Sequence, residues 1–267
     1  MKKYLSFFRL RLVTGLQYRT AALAGMVTQF FWGFMEIMVF HAFYEADPTA
    51  YPMTMEATAS YVWLQQALLA FFGAWMFEGE IFDTINNGNL AYELCRPVHI
   101  YDMWFARSVA LRLSRAALRC IPILAVAAFL PEGYGLGLPV SAHALFWFVV
   151  SLSLGLLVMI SLNMLVYVAS LFTISGDGLK ILFCSVVEVL SGQIIPLPFF
   201  PEHVQRILEL NPFASTGNVP FRIYSGNLSG QQMYRAVLVQ LIWLVVLNVL
   251  GRMIGARGER RAVVQGG

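Results

Sequence analysis

Apolar residues in this chain form long stretches, and short polar segments separate them. A helix needs about 20 mainly apolar residues to cross the hydrocarbon core of a bilayer, and six stretches are long enough. The pattern therefore predicts an all-α integral membrane protein with six transmembrane helices, organised as one domain over residues 1–267. The predicted spans are residues 20–44, 58–77, 108–130, 143–172, 179–197 and 236–254.

Composition supports the same class. Hydrophobic residues make up 58% of the chain and charged residues 12%, whereas a soluble domain carries about 25% charged residues. The net charge of +3 is too small to suggest a nucleic-acid partner. The three cysteines and four histidines are scattered along the chain, so we expect no metal site.

The residues before the first span are basic, and Leu5, Phe8, Leu12 and Leu16 recur at helical spacing. This pattern predicts an interfacial helix over residues 2–18 that lies on the membrane surface. The alternative is a simple basic tail.

Lysine and arginine are unevenly distributed between the two sides that the spans define. Of the 18 basic residues, only Arg206, Arg222 and Arg235 fall on the side opposite the N-terminus. Because cytoplasmic loops are enriched in basic residues, the bias predicts that both termini are cytoplasmic.

The segment between the second and third spans, residues 78–103, is acidic and contains a strong turn signal. Asn86-Asn87-Gly88-Asn89 favours a turn because Asn and Gly tolerate positive φ. Leu90 to Leu94 can form one helical turn before Arg96-Pro97 ends it. The pattern implies a helix, a turn and a short helix, a shape that suits docking into a cytoplasmic partner. Periodicity alone slightly favours the alternative, a solvated connector.

The segment after the fifth span, residues 192–232, is rich in proline. Pro196, Pro198, Pro201 and Pro212 prevent one continuous helix. We expect an external hairpin that partly re-enters the membrane, because broken backbone at membrane depth is tolerated where protein surrounds it. The alternative is a loop that rests on the lipid headgroups.

Ionisable residues inside the spans are candidates for functional sites, since a charge in hydrocarbon is costly. Arg119 and Glu188 lie about 12 Å and 13 Å from the inner ends of their spans, at 1.5 Å per residue. The matching depths predict a buried ion pair. The alternative places Glu188 on a cavity that attracts cationic substrates. Arg112 and Arg115 are expected to extend to the cytoplasmic interface.

Short motifs in the two irregular segments are similar to those of a known family. Gly88-Asn89-Leu90, followed by Leu94-Cys95-Arg96-Pro97, resembles the coupling segment of type-2 ABC exporter permeases. The run Ser191 to Pro201, followed by Asn211-Pro212-Phe213, resembles the proline-rich element that follows the fifth span in that family.

The resemblance implies a small permease subunit in the bacterial cell membrane, paired with a second permease and a separate ABC ATP-binding subunit. In that family the loop after the second span forms a coupling helix that inserts into the ATP-binding subunit. The docking residues implied here are Glu80, Asp83, Asn86, Asn87, Gly88, Leu90, Glu93, Leu94, Arg96 and Pro97.

The resemblance also implies where the pathway lies, because spans one and five meet their counterparts across a dimer axis in that family. The pathway candidates are Gln29, Glu36, Glu188 and Gln193. For Gln29 and Glu36 the alternative is an ordinary hydrogen bond between helices.

The chain has no glycine-rich loop that ends in GK[ST] and could cradle the phosphates of ATP. We therefore expect ATP and Mg²⁺ to bind in the partner subunit, and the chain itself not to be an enzyme. Three alternatives remain open: a secondary ion-coupled transporter, an intramembrane enzyme, and a scaffold that does not transport. The substrate, and the choice between homodimer and heterodimer, are also left open.

Overall fold

The structure is a computed structural model that describes residues 2–17, 19–47, 51–173 and 176–260. Within these ranges the regular secondary structure is all helical and has no strand, which confirms the all-α part of the predicted fold class. The α-helices are α1 (Lys2–Gly15), α2 (Arg19–Ala46), α3 (Met55–Ala67), α4 (Leu69–Phe72), α5 (Gly79–Asn86), α6 (Leu90–Leu94), α7 (Ile100–Ala128), α8 (Ala142–Ser170), α9 (Asp177–Leu190), α10 (Glu202–Glu209), α11 (Asn218–Tyr224) and α12 (Gly230–Glu259), and a 3-10 helix spans Leu197–Phe199.

Three of the described helices are long and apolar enough to cross a membrane. They are Ala22–Ala46 within α2, α8 and α12. They coincide with the first, fourth and sixth predicted spans. The other three predicted spans take different forms, so the count of six stays a prediction.

The second predicted span, residues 58–77, is not one helix. Helix α3 begins after Thr54, whose hydroxyl oxygen accepts a hydrogen bond from the Ala57 N–H at 3.2 Å. The helix breaks at Leu68, α4 ends at Gly73, and irregular backbone continues to Glu78. No proline marks this break, so the apolar pattern alone could not predict it.

The third predicted span, residues 108–130, largely coincides with α7, which begins eight residues earlier, at Ile100, and ends two residues sooner, at Ala128. Its first turn contains Asp102, and Arg107, Arg112, Arg115 and Arg119 follow along the helix. The early start has a simple cause: Pro97 ends the preceding turn, and nothing between Val98 and Asp102 prevents a helix.

The fifth predicted span, residues 179–197, is too long. Helix α9 ends at Leu190, because Gly192 follows with a φ of 79°, the left-handed conformation that commonly ends helices. Its 14 residues rise about 21 Å, at 1.5 Å per residue, which is less than the hydrocarbon thickness of about 30 Å.

Helix α8 lies at the centre of the bundle. It packs along α12 and also contacts α4, α5, α7, α9 and α11. Helix α11 is buried over its whole length, mainly against α8 and α3. The end of the segment after α9 is therefore packed into the protein, whereas α10, earlier in the same segment, has no buried residue.

Helices α1 and α2 lie on the other side of α7. Helix α1 packs along α7, and the Tyr4 hydroxyl accepts a hydrogen bond from the His99 N–H at 3.0 Å. The face that α1 turns toward the protein includes Tyr4 and Phe7. Of the predicted apolar positions, Leu5 is exposed, while Phe8, Leu12 and Leu16 are partly buried. Residue 18, at the end of the predicted interfacial helix, lies outside the described residues.

Candidate functional site

A cavity of about 880 Å³ lies between α2 and the turn that follows α9. We call it the α2 cavity. All four pathway candidates from the sequence, Gln29, Glu36, Glu188 and Gln193, line it. Most of the remaining wall is apolar and aromatic, and includes Trp32, Met35, Phe40, Phe43, Ile194 and Ile195. An apolar chamber with a few convergent polar groups is the usual form of a small-molecule site.

Two polar residues of α2, Gln29 and Glu36, form the polar side of this cavity. They are seven positions apart and therefore lie on one face of the helix. The Gln29 side chain is 3% exposed, and neither its amide nitrogen nor its amide oxygen has a hydrogen-bond partner in the described part of the chain. Glu36 accepts a hydrogen bond from the Gln66 amide through Oε2 at 3.3 Å, but its Oε1 is buried without a partner. Buried polar groups without partners are costly, which suggests a function for these two residues.

Arg119 also lines the α2 cavity, but its guanidinium lies against α2. A Cβ added at Gly25 would lie 2.6 Å from Arg119 Cζ, so the arginine occupies the space above this glycine. Among the described residues, no ion pair joins Arg119 to Glu188. Helix rise placed the two residues at equal depth but did not say which way each side chain points. The pairing stays a prediction that the observed contacts do not support.

Gln193 fastens the turn after α9 to the end of α4. Its amide nitrogen donates a hydrogen bond to the Phe72 carbonyl at 2.6 Å, and its own carbonyl accepts one from the Gln65 side chain. The prolines follow in order: Pro196 precedes the 3-10 helix, Pro198 is buried within it, and Pro201 precedes α10. Pro212 lies in the connection to α11. The turn therefore forms one wall of the α2 cavity.

Arg112 satisfies the irregular backbone after α4. The guanidinium is buried and donates hydrogen bonds to the carbonyls of Phe71 at 2.6 Å, Gly73 at 3.2 and 3.3 Å, and Met76 at 3.1 Å. The Asn163 amide donates to the same Met76 carbonyl at 3.1 Å. The expectation that Arg112 extends to the cytoplasmic interface was wrong, because these carbonyls hold its guanidinium inside the bundle. The only feature of the sequence that relates to this role is Gly73, at the end of the short helix α4.

The acidic segment 78–103 folds into a compact helical hairpin. We call α5, the following turn and α6, residues 79–94, the α5–α6 hairpin. Gly88 adopts a φ of 70° at the turn, as the Asn-Gly signal predicts. Ile81, Phe82 and Leu90 are buried against α7 and α8. A freely solvated connector, the alternative from the sequence, does not describe this segment.

Three of the ten docking candidates hold the hairpin in place. Leu90 is buried, and Glu93 is buried and accepts a hydrogen bond from the Trp104 indole N–H at 2.7 Å. Glu80 forms ion pairs with Arg11, at 3.0 Å, and with Arg107. The hydrogen bond from Arg11, supported by the charge of Arg107, holds the pKa of the Glu80 carboxyl below its usual range.

Most of the other docking candidates are available on the surface. Gly88 is partly buried, while Asp83, Asn86, Asn87, Leu94, Arg96 and Pro97 are exposed. Tyr92, which sequence reasoning missed, is 75% exposed and is the most prominent apolar group on this surface. In the sequence, only the position of Tyr92 on the outer side of a single helical turn could have indicated its exposure. Cys95 is also exposed and is not in a disulfide.

A chain of aromatic contacts connects the hairpin to α9. Phe77 packs against Phe82 of α5 and Phe183 of α9, with ring centroids 5.6 and 5.7 Å apart. The Lys180 ammonium lies 3.8 Å from the centroid of the Phe82 ring. Helix α9 also contributes Glu188 to the α2 cavity, so this helix contacts both the hairpin and the cavity.

In the described part of the chain, no group of three or more His, Cys, Asp or Glu side chains could hold a metal ion. In a comparison with known families, the family model described as "ABC-2 family transporter protein" matches residues 30–266. A search of the curated proteins finds no match.

Proposed function

Since this chain belongs to the ABC-2 family of transporter proteins, we propose that it is the permease subunit of an ATP-driven exporter. In this proposal the α2 cavity forms part of the translocation pathway, and the α5–α6 hairpin docks a separate ATP-binding subunit. The chain passes through the bacterial cell membrane six times, with α3–α4, α7 and α9 as the irregular or charged passes and both termini in the cytoplasm.

The observation that supports the pathway best is the α2 cavity itself. It combines a volume of about 880 Å³ with buried polar groups on Gln29 and Glu36 that have no partner in the described part of the chain. A purely structural interface would satisfy such groups. A substrate with polar atoms and an apolar body could pair with them during passage.

Trp32 and Met35, which line the cavity, are 57% and 50% exposed. We infer that a second permease subunit covers this side of α2 and completes the chamber.

The folding of the α5–α6 hairpin supports the docking role. A partner that presses on Tyr92, Leu94 and Asp83 would act on a packed element and not on a flexible loop. The aromatic contacts of Phe77 and the position of Lys180 over Phe82 would pass such a displacement to α9. Because α9 carries Glu188, ATP-driven movement of the partner would reach the α2 cavity.

Co-purification of the full chain with an ATP-binding subunit from native membranes tests this proposal. We expect Tyr92→Ala to reduce the amount of ATP-binding subunit recovered at least fivefold. Tyr234→Ala is the matched control, since Tyr234 is exposed on α12, on the proposed external side, and this variant should retain the subunit. Equal recovery with both variants would contradict docking through the hairpin.

The same preparation distinguishes the secondary-transporter alternative. Transport that stops when ATP is removed and continues when ion gradients are collapsed supports the exporter. The opposite dependence would support an ion-coupled transporter and overturn the proposal.

A further inference from the structure

A second cavity, of about 490 Å³, lies between α1, α7 and the first described turn of α2. We call it the α1–α7 pocket. Thr14 and Gly15 of α1 line it from one side, Ser114 and Leu118 of α7 from another, and Ala22 of α2 from the third. A Cβ added at Gly15 would lie 2.2 Å from Ser114 Oγ, so the two helices touch at the edge of the pocket.

The pocket carries an excess of positive charge. Besides Arg119, its lining contains Arg11, Arg107 and Arg115 but only two carboxylates, Glu78 and Glu80, which leaves one positive charge in excess even when Arg119 is not counted. Both carboxylates already have partners: Glu80 pairs with Arg11 and Arg107, and Glu78 pairs with Arg107 at 3.3 Å.

Arg115 is the charged group in the pocket that most clearly lacks an anionic partner among the described residues. Its Nη1 contacts the Met76 thioether sulfur at 3.0 Å, which has no charge to offer. No carboxylate of the described residues lies within ion-pair distance of its guanidinium.

The apolar sides of the pocket point to a lipid as the source of that anion. Leu10 and Val13 of α1 are exposed beside Arg11 and Thr14, and Leu23 and Val27 are exposed on α2 beyond Ala22. An acyl chain could follow these side chains while a headgroup occupies the pocket. Arginine recognises phosphate through paired N–H donors, and basic pockets between helices at the inner membrane surface bind anionic headgroups.

We propose that the α1–α7 pocket binds the phosphate group of an anionic phospholipid, with Arg115 as its main ligand. Under the proposed orientation this lipid belongs to the cytoplasmic leaflet. Bound there, it would fasten α1 to α7 and α2. The inference relies on the membrane location of the chain and not on its transport role, so its failure would leave the proposed function untouched.

Thermal unfolding of the full chain in neutral detergent, with added lipid, tests the proposal. Phosphatidylglycerol should raise the unfolding midpoint of the wild-type chain more than phosphatidylcholine does. Arg115→Gln should lose at least half of this difference, while Arg115→Lys, which keeps the charge, should retain most of it. Arg206→Gln is the control, because Arg206 pairs with Glu202 on the exposed surface of α10, and it should keep the full difference.

Native mass spectrometry gives a second readout that does not depend on stability. The wild-type chain should retain phosphatidylglycerol, and Arg115→Gln should not. If Arg115→Gln keeps both the lipid and the full midpoint difference, the proposal is overturned. If glycerol phosphate without acyl chains protects as well as the lipid does, the ligand is a soluble anion, and the assignment to a lipid is overturned.

Discussion

The Arg112 guanidinium donates two hydrogen bonds to the Gly73 carbonyl, at 3.2 and 3.3 Å, inside the bundle. This contact explains how α4 can end within the protein without leaving its last carbonyl groups unpaired. Non-helical backbone at membrane depth requires such internal partners, since hydrocarbon offers none. The positively charged Arg112 side chain thus stabilises a helix break inside the bundle.

Removing this guanidinium should destabilise the chain strongly. Each buried carbonyl that loses its donor costs about 1–3 kcal/mol, and Arg112 serves several. We expect Arg112→Leu to lower the free energy of unfolding by about 3 kcal/mol or more, with a smaller loss for Arg112→Lys. The midpoint of thermal unfolding in detergent measures this. Arg206→Leu, at an exposed ion pair, should change stability by less than about 1 kcal/mol, and an Arg112→Leu effect as small as this would contradict the assigned role.

Replacing Gln29 should stabilise the chain, whereas replacing Arg112 should destabilise it. Its amide is buried without partners in the described part of the chain, so Gln29→Leu should raise the free energy of unfolding by about 1 kcal/mol. Gln240 is the matched control, because its buried amide bonds to Ser151 and Ser215. We expect Gln240→Leu to lower stability by about 1–3 kcal/mol. Equal losses for both variants would mean that the Gln29 amide has a structural role and would weaken the pathway assignment.

Two glycines should respond differently to an added methyl group. A Cβ at Gly155 would lie 2.5 Å from the Thr216 carbonyl oxygen, which is backbone. At Gly25 the obstacle is the far end of the Arg119 side chain, at 2.6 Å. Gly155→Ala should therefore cost about 1–3 kcal/mol through overpacking, while Gly25→Ala should cost much less because the arginine can move. Thermal unfolding of the two variants side by side measures the difference, and a Gly25→Ala loss as large as that of Gly155→Ala would show that Arg119 is rigidly held.

The contact between α1 and α5 should depend on pH through Glu80. Arg11 and Arg107 lower the pKa of its carboxyl in the folded chain. The stabilisation is therefore fully present above the ordinary Glu pKa of about 4.3 and is lost as the pH falls through the lowered folded value. Because Glu80 is largely exposed, the effect should stay below about 1 kcal/mol. The protection of α1 amides from hydrogen exchange, relative to the intrinsic exchange rate at each pH, should fall in this pH range in the wild type, and Arg11→Ala should remove most of this loss. An unchanged dependence in that variant would contradict the assignment.

The sequence predicted best the elements that depend on long apolar runs. Helices α2, α8 and α12 follow from such runs, and the turn at Gly88 follows from Asn-Gly chemistry. Gln29 and Glu36 could be paired on one face because helical periodicity brings them together.

The sequence could not predict which way a side chain points, or which residues far away in the sequence it contacts. The depth of Arg119 was computable, but its orientation toward Gly25 depends on how α7 packs against α2. The break at Gly73 is stable only because Arg112 reaches it from another helix. Leu90 and Glu93 proved to be buried because Trp104 and α8 cover them, and no local pattern distinguishes them from exposed Tyr92.

The most direct test of the proposed docking surface is the reactivity of Cys95, which is exposed next to α6. The experiment uses a full chain in which Cys120 and Cys184 are replaced by alanine, and a membrane-impermeant maleimide. In inside-out vesicles Cys95 should react slowly while the ATP-binding subunit is bound and at least fivefold faster after that subunit is stripped off. In right-side-out vesicles it should not react. Reaction from the outer side would contradict the orientation proposed for the α5–α6 hairpin, and equal rates with and without the ATP-binding subunit would contradict its docking role.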